Sequence, residues 1–445
     1  MPKYEIDPAK HYKMPQDIQL IKHDGKTIVI APESSNWVVL DSSSQTEVFN
    51  LFKLGNSIQD VLDSSMFEVS DIRKVITELE ARKFCTKKVK SSLSDRNLHL
   101  YLTNKCNLSC PHCYMYAGKG MGSELSTHEW LRVLADYKAI SKGNLLTISG
   151  GEPSCHADFD MIVKAASEMG FDIKLLTNGT LFKSERIHEI SRYITSVQVS
   201  IDGYSEQSNS PIRGLGNFSK ALSAVDTFLN CGIETSIALA PPIDSLHNHL
   251  EEFVDFAMKL STRYKDKPFS IKFTEGLIKG RDIEPSDQFN REYSSSIRAI
   301  QERLYGPDYE VMIFVEKIRK NVITDSCMFG SIAISSEGNV FPCAQIGDLL
   351  PLANVRSNSM TEIYKKSLAA ESSALITKLR PCNECALRYI CGGGCRITEF
   401  PELVKRVSFN DIDYEDIPPR PCSETVKNRF YDLMIRSNKY LYSPL

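Results

Sequence analysis

The sequence lacks the features that direct a protein to a membrane, to secretion or to a polyanion. It has no apolar run approaching the length of a membrane-spanning helix, and its first residues, MPKYEIDPAKHYK, contain no signal-peptide core. Its 53 basic and 56 acidic side chains give a net charge of −3, so no overall charge attracts nucleic acid or an anionic membrane. We therefore expect a cytoplasmic protein without a membrane or nucleic-acid partner.

Cysteine is the residue that the sequence has in unusual number. The 445 residues include 13 cysteines, in a chain with room for roughly two to four domains. Reducing conditions in the cytoplasm disfavour disulfides, so clustered cysteines indicate metal ligation or thiol chemistry. We expect Cys85, Cys155 and Cys231, which stand apart from the clusters, to be buried free thiols.

Residues 1–90 predict a small winged-helix-like module of three strands followed by three helices. Segments rich in Ile and Val indicate strands near 17–23, 26–32 and 36–41, and Asp24-Gly25 suits a hairpin turn between the first two. The module carries 13 basic and 13 acidic side chains, a balance that lacks the electropositive surface of a DNA-binding winged helix. A charged stretch at 87–96 is the predicted linker to the next domain.

From residue 98 the pattern changes to short apolar strands that alternate with amphipathic helices. Six strands are predicted, at 98–102, 145–148, 172–176, 197–201, 234–239 and 269–273. Repeated β–α units imply parallel strands with right-handed crossovers, and hence an α/β fold with a curved or closed barrel. In such barrels the chemistry lies at the carboxyl ends of the strands.

A cysteine motif follows the first of these strands. Cys106, Cys110 and Cys113 are spaced C-x3-C-x2-C. Three thiolates on one tight loop suit three irons of a 4Fe-4S cluster and leave the fourth iron open for another ligand. Zinc is the alternative, but zinc sites usually have four protein ligands in paired C-x2-C units.

The second strand ends in a glycine-rich turn, Gly150-Gly151-Glu152-Pro153. Two glycines let a ligand approach the backbone closely, and the Glu152 carboxylate is suited to pair with an ammonium group. In isolation such a turn is equally typical of an ordinary strand-to-helix connection. Here it falls one β–α unit after the cysteine loop, on the same edge of the predicted barrel.

Together these motifs resemble the radical S-adenosylmethionine (radical SAM) superfamily. The resemblance implies a partial (β/α)6 barrel over residues 97–310 and a cluster held by the loop cysteines, whose open iron binds the amino and carboxylate groups of SAM. It implies that Gly150, Gly151 and Glu152 contact the amino group. His112 occupies the position of an aromatic residue that lies near the adenine in the family.

Three further residues match family positions that contact the ribose or carboxylate of SAM. Ser200 and Asp202 end the fourth strand, and Arg213 follows shortly after. The structural alternatives are that Ser200 and Asp202 are strand-end caps and that Arg213 forms a surface ion pair. No catalytic acid or base is predicted.

The C-terminal cysteines form a second array, which contains seven of the 13: Cys327, Cys343, Cys382, Cys385, Cys391, Cys395 and Cys422. Gly392-Gly393-Gly394, between two of them, allows the backbone to fold tightly around inorganic sulfide. A structural zinc ribbon is the alternative, but seven cysteines would leave two zinc ions one ligand short.

This array resembles the SPASM domain, an extension that carries two auxiliary 4Fe-4S clusters in radical SAM enzymes acting on peptides and proteins. For residues 320–445, the resemblance assigns one cluster to Cys382, Cys385, Cys391 and Cys422, and the other to Cys327, Cys343 and Cys395. Many members have a further cysteine between the first two positions, and this chain has none. The implied cofactors are therefore SAM and three 4Fe-4S clusters, one of which has only three predicted thiolates.

Residues 1–90 resemble the PqqD-like recognition element of many peptide-modifying radical SAM enzymes. This implies that the module binds the leader segment of a precursor peptide, which would add as a strand to an exposed sheet edge. The combined resemblance implies an oxidoreductase in which a 5′-deoxyadenosyl radical removes hydrogen from a ribosomally made peptide. The product would be a thioether or another crosslink, or an oxidised or epimerised residue. An external donor such as flavodoxin or ferredoxin would supply the electron.

Two other functions fit parts of the pattern. An anaerobic sulfatase-maturing type enzyme has the same barrel and SPASM region but acts on a folded-protein motif, and the extra front module disfavours it. A non-enzymatic iron–sulfur scaffold or regulator would use the front module to bind DNA, and the balanced charge of that module disfavours it.

Overall fold

A computed structural model describes residues 7–86, 89–90, 97–320, 322–327, 329–347 and 349–441. The predicted linker at 87–96 lies outside the described residues, apart from the two-residue strand β4, Val89–Lys90, which pairs in parallel with Val322–Ile323. The described residues form an N-terminal antiparallel sheet, a large mixed sheet and a loop-rich C-terminal region, each with helices packed against it.

The N-terminal sheet has the three predicted strands in the order β1, β2, β3, all antiparallel. They are β1 (Gln19–His23), β2 (Lys26–Ala31) and β3 (Asn36–Leu40). Asp24 and Gly25 have φ angles of 47° and 68°, the left-handed conformation that a two-residue hairpin turn requires. Three helices follow, α1 (Ser43–Lys53), α2 (Ile58–Asp63) and α3 (Val69–Ala81). The predicted order of strands and helices is confirmed.

Both faces of β2 and β3 in this small sheet are buried. Alternate residues of β2 and β3 (Val29, Ala31, Val38 and Leu40) pack in a core with α1, α2 and α3. The intervening residues (Ile28, Ile30, Trp37 and Val39) pack instead against helices from the C-terminal third of the chain. This explains why β2 and β3 are apolar throughout rather than alternating, because a sheet that is covered on both sides has no solvent face.

The barrel strands are parallel and follow the chain in order. They are β5 (Leu98–Tyr101), β6 (Leu145–Ser149), β7 (Asp172–Thr177), β8 (Ser196–Ser200), β9 (Glu234–Leu239) and β10 (Phe269–Phe273). The intervening helices are α4 (Thr127–Ile140), α5 (Phe159–Glu168), α6 (Ser184–Ile190), α7 (Glu206–Arg213), α8 (Asn217–Asn230), α9 (Ile243–Asn248) and α10 (Leu250–Arg263). All six predicted strands are therefore present, within two residues of the predicted ends.

The sheet continues beyond β5 with strands that the sequence did not predict. After α11 (Asp287–Tyr305), α12 (Tyr309–Arg319) and β11 (Val322–Ile323), the chain forms β12 (Ile332–Ile334), β13 (Asn339–Phe341) and β14 (Ala353–Asn354). β12 pairs in parallel with β5, and β13 and β14 follow antiparallel. β5 consequently lies in the middle of a nine-stranded sheet instead of at its edge.

The C-terminal region combines short helices with one long one. They are α13 (Met360–Ser373), α14 (Arg388–Cys391), α15 (Arg396–Glu399), α16 (Pro401–Val404) and α17 (Glu424–Leu441). Helices α4 and α13 each begin with a capping box, in which a serine and an acidic residue three positions later satisfy each other's backbone groups. Across the described ranges, no helix has both the length and the apolar content to cross a membrane.

Helices α12 and α17 cover the second face of the N-terminal sheet. The Trp37 ring stacks on Phe314 of α12 with their centroids 6.3 Å apart, and the Arg82 guanidinium lies 3.5 Å from the centroid of Trp37. Arg388, which is buried, donates to the carboxylate of Glu33 at 2.5 Å. The N-terminal module and the C-terminal region thus share one hydrophobic core.

Replacing Trp37 by Ala should therefore destabilise the whole protein. Trp37 is only 2% exposed, and truncation of such a side chain leaves a cavity that costs about 3–5 kcal/mol. We expect a clear fall in the midpoint of urea unfolding of the anaerobic protein. Leu20→Ala, in the same sheet but 39% exposed, should change the midpoint little. Equal effects of the two substitutions would contradict the shared core.

Candidate functional site

The loop with the first three cysteines begins just past the carboxyl end of β5. The Cys106 N–H donates to the Gly118 carbonyl at 2.8 Å, and the Cys113 N–H donates to the Cys110 carbonyl at 3.2 Å. Burial, more than any neighbour, raises the pKa of Cys106 to about 11. A bare thiolate is therefore disfavoured here, and coordination to a cation is what would stabilise it.

A cavity of about 390 Å³ opens beside this loop at the carboxyl edge of the sheet. Its volume lies within the range of small-molecule and cofactor sites. Besides Cys106, Cys110 and Cys113, it is lined by six other residues that the sequence singled out: His112, Gly150, Gly151, Ser200, Asp202 and Arg213. Strands β5 to β8 deliver these residues from their carboxyl ends, as expected for a barrel of this kind.

Asp202 is the centre of the charged part of the cavity. Its buried carboxylate accepts from Arg213 Nε at 2.6 Å and from the Ala240 N–H at 3.0 Å. His112 Nε2 lies 3.4 Å from the same carboxylate. Burial lowers the pKa of His112, an effect that the Asp202 charge opposes only in part. The structure thus shows an ion pair inside the cavity, with a flat ring beside it.

Glu152 occupies a different position from the one predicted. It is fully buried and does not line the cavity. Its carboxylate accepts from Thr177 Oγ1 at 2.8 Å, from the Asn178 N–H at 2.8 Å and from Ser154 Oγ at 2.6 Å. Glu152 therefore ties the end of β6 to the end of β7 and holds Thr177 and Asn178, which do line the cavity. The contact of Glu152 with an ammonium group stays a prediction.

The two glycines before Glu152 are required by packing against the cysteine loop. Gly150 has a φ of +139°, and a Cβ placed there would lie 2.4 Å from the Thr103 carbonyl oxygen. A Cβ on Gly151 would lie 2.4 Å from the Lys105 carbonyl oxygen. The glycines thus let the β6 turn lie directly against the chain that leads into the loop, which is what brings their backbone to the cavity.

Arg281 is a residue of the site that the sequence analysis missed. It lies beyond β10, and its guanidinium donates to Ser109 Oγ at 2.9 Å, to the Cys110 carbonyl at 3.1 Å and to the Ala117 carbonyl. The backbone N–H of Arg281 donates to the Cys113 carbonyl at 3.2 Å. One arginine thus clamps the cysteine loop from the far end of the barrel, and no periodicity or motif in a single sequence marks it.

Four of the C-terminal cysteines lie around a second, small cavity. They are Cys382, Cys385, Cys391 and Cys422, and we call them the four-thiol site. Gly392, Gly393 and Gly394 have φ angles of 72°, 76° and 73°, which let the chain turn sharply between Cys391 and Cys395. Arg420 Nη1 lies 3.9 Å from Cys391 Sγ, and Arg420 is itself paired with Glu399 at 2.5 Å.

The other three, Cys327, Cys343 and Cys395, form a separate group that we call the three-thiol site. Burial, together with the nearby thiols of Cys327 and Cys395, raises the pKa of Cys343 to about 11. The backbone nitrogen of Gln345 lies 3.5 Å from Cys343 Sγ, and the side-chain Oε1 of Gln345 lies 4.0 Å from Cys395 Sγ. Gln345 also lines the large cavity, so it lies between the three-thiol site and that cavity.

The three isolated cysteines contribute to neither site. Cys85 lies 3.9 Å from Met14 Sδ in the N-terminal module, Cys155 belongs to the short turn after β6, and Cys231 packs against the barrel core. Within the described residues, no group of three or more His, Cys, Asp or Glu side chains could hold a single metal ion. The donor set of each array is purely thiol, which fits iron–sulfur clusters.

Comparison with known protein families matches two parts of the chain. Residues 100–257 match the radical SAM superfamily, and residues 326–386 match the SPASM iron–sulfur cluster-binding domain. The first range contains the cysteine loop and the cavity residues delivered by β6 to β8. The second contains two cysteines of the three-thiol site and two of the four-thiol site.

Among curated proteins, the chain is 28% identical to the sporulation killing factor maturation protein SkfB of Bacillus subtilis. That alignment covers 59% of this chain and 63% of SkfB, less than two thirds of its length. The chain is also 27% identical to the PqqA peptide cyclase of Rhodopseudomonas palustris, over 68% of this chain and 82% of the cyclase.

Among solved structures, the enzyme anSMEcpe with bound AdoMet has the same fold. The two structures superpose with a TM-score of 0.59 at 16% sequence identity. The alignment covers 78% of this chain and 100% of the anSMEcpe chain. The chain therefore contains a radical SAM domain and a SPASM iron–sulfur cluster-binding domain, and it is similar in sequence to a maturation protein and to a peptide cyclase.

Proposed function

We propose that the chain modifies a ribosomally made precursor peptide and forms a thioether or another crosslink in it. The observation that carries the proposal is the single cavity in which the cysteine loop meets the Asp202–Arg213 ion pair and Gln345, the residue beside the three-thiol site. The names of the relatives, a maturation protein and a peptide cyclase, support the same class of substrate.

In this proposal Cys106, Cys110 and Cys113 hold the 4Fe-4S cluster that binds SAM. When bound, these cofactors supply a 5′-deoxyadenosyl radical, which takes a hydrogen atom from the substrate. An external donor such as flavodoxin or ferredoxin delivers the electron. With the four-thiol and three-thiol sites, we propose three 4Fe-4S clusters per chain.

The chain's own residues orient the cofactor and shape the cavity. Arg213, held by Asp202, presents a fixed positive charge suited to a carboxylate, and Ser200 offers a hydroxyl on the same side. His112 would provide a flat ring for the adenine, and burial lowers the pKa of His112, which favours the uncharged ring. The Gly150 and Gly151 backbone and Glu152 would contact the amino group, and Glu152 also holds Thr177 and Asn178 in the cavity wall.

We further propose that residues 1–90 are a PqqD-like module that binds the leader of the precursor, that residues 97–310 form the catalytic barrel and that residues 320–445 form the auxiliary-cluster domain. Both outer strands of the N-terminal sheet lack a strand neighbour among the described residues. The residues of β3 are all buried, whereas β1 alternates between half-buried and exposed residues. A leader strand would therefore add to β1.

Replacing Cys106, Cys110 and Cys113 together by Ala should abolish SAM cleavage while the C-terminal clusters remain. We expect the iron content of the reconstituted protein to fall from about 12 to about eight per chain, because one of three 4Fe-4S clusters is lost. Liquid chromatography should detect no 5′-deoxyadenosine after reduction with SAM. Wild-type levels of 5′-deoxyadenosine would refute the assignment of this loop, and about four irons in the wild type would refute the auxiliary clusters.

The leader-binding edge is best tested by one substitution, because removing residues 1–90 would also expose the core shared with α12 and α17. In a two-residue hairpin closed at His23 and Lys26, the Leu20 N–H points away from β2. Leu20→Pro should remove that donor and weaken leader binding at least tenfold, whereas Leu20→Ala keeps it. Fluorescence anisotropy with a labelled leader peptide of the precursor measures the affinity of both variants. Equal affinities of the Leu20→Pro and Leu20→Ala variants for the leader would exclude β1 as the edge to which the leader binds.

Among the residues that the structure describes, only the thiols of Cys327 and Cys395 act on Cys343, so we propose that the cluster of the three-thiol site accepts an outside thiolate through the cavity. In the Cys106, Cys110 and Cys113 triple variant, a cysteine-containing peptide should perturb the electron paramagnetic resonance spectrum of this cluster. Gln345→Cys should complete the thiolate set and remove the response, while Gln345→Ala should keep it. A response unchanged by Gln345→Cys, or absent from the Gln345→Ala variant, would contradict an open position at Gln345.

A further inference from the structure

Arg396 is a fully buried cation without a carboxylate partner. Its exposed fraction is 0%, and within the described residues no Asp or Glu oxygen lies within ion-pair distance of it. Its guanidinium donates only to carbonyl oxygens, those of Ala374, Gly392 and Gly394 at 2.8–2.9 Å and that of Asp325 at 3.4 Å. Such a charge is costly to bury, and a neutral carbonyl cage does not neutralise it.

Arg396 also lies between the two C-terminal cysteine groups. Its backbone N–H donates to Cys327 Sγ at 3.4 Å, and Arg396 directly follows Cys395, so it adjoins the three-thiol site. On the other side, a Cβ placed on Gly393 would be 3.2 Å from Arg396 Nη1 and 3.7 Å from Cys382 Sγ, so the guanidinium nitrogen and that sulfur are at most 6.9 Å apart. The Arg396 charge interacts electrostatically with Cys327, Cys382 and Cys395, and so with both thiol sites.

A thiolate-ligated iron–sulfur cluster carries net negative charge, and nearby charge and hydrogen bonds set its reduction potential. We infer that Arg396 is the shared counter-cation of both auxiliary clusters, and that it raises the reduction potential of each. Arg396 acts on the clusters through its charge, and we assign it no contact with the substrate. This inference rests on the proposed function only in requiring that both thiol sites hold clusters.

Arg420 provides the matched comparison. It is also largely buried, but Glu399 pairs with it at 2.5 Å, and the thiols beside it, Cys391 and Cys382, belong to the four-thiol site alone. Loss of the Arg420 charge should therefore affect only that cluster. Loss of the Arg396 charge should affect two.

The test is a potentiometric titration followed by electron paramagnetic resonance, in the background of the Cys106, Cys110 and Cys113 triple variant. In that variant only the auxiliary clusters contribute to the electron paramagnetic resonance spectrum. Arg396→Gln should make reduction of both clusters about tenfold less favourable, a fall of about 59 mV for a one-electron couple. Arg396→Lys keeps the charge and should leave both midpoints near their starting values. Arg420→Gln should shift only the four-thiol cluster.

Iron content separates the other outcomes. Fewer than about eight irons in the triple variant itself would refute the proposed auxiliary clusters before any Arg396 variant is compared. If Arg396→Gln loses iron from both sites while Arg396→Lys keeps it, charge decides and the inference holds. If both variants lose iron equally, the hydrogen bonds of Arg396 to the carbonyls, and not its charge, are what keep the clusters bound. The inference is then wrong. Unchanged midpoints in Arg396→Gln, or a shift of only one cluster, would also overturn it.

Discussion

The parallel pairing of β5 on both of its sides is the constraint on which the site depends. On one side β6 brings the Gly150-Gly151 turn against the chain that enters the cysteine loop. On the other side β12 pairs with the same strand, and the chain that follows β13 reaches the site, because the Tyr101 hydroxyl at the end of β5 donates to the Ala344 carbonyl and Gln345 lines the cavity. Two cysteine-rich regions distant in sequence thereby meet beside a single four-residue strand.

The sequence was sufficient for whatever depends on short segments. Strands β5 to β10, the hairpin at Asp24-Gly25 and the cysteine loop were predictable because each follows from local spacing, turn chemistry or a compact motif. Parallel β–α order then implied that the strand ends meet at one edge, which is why His112, Ser200, Asp202 and Arg213 line a single cavity.

Contacts between distant segments could not be predicted in this way. The clamp of Arg281 on the cysteine loop and the position of Arg396 between two thiol groups depend on tertiary packing, and each is one arginine among many in the sequence. The bonds of Glu152 to Thr177 and Asn178 could not be predicted for a related reason. A carboxylate after a glycine turn is equally able to face a ligand or to cap the next strand.

The second apolar face of the N-terminal sheet has a consequence for how such enzymes diversify. Ile28, Ile30, Trp37 and Val39 meet α12 and α17, which lie more than 270 residues away in the chain. The N-terminal module is therefore not an independent cassette, because transplanting residues 1–90 alone would expose two apolar surfaces to water. Chimeras that exchange this module should exchange the sheet together with α12 and α17, or change only the exposed residues of β1.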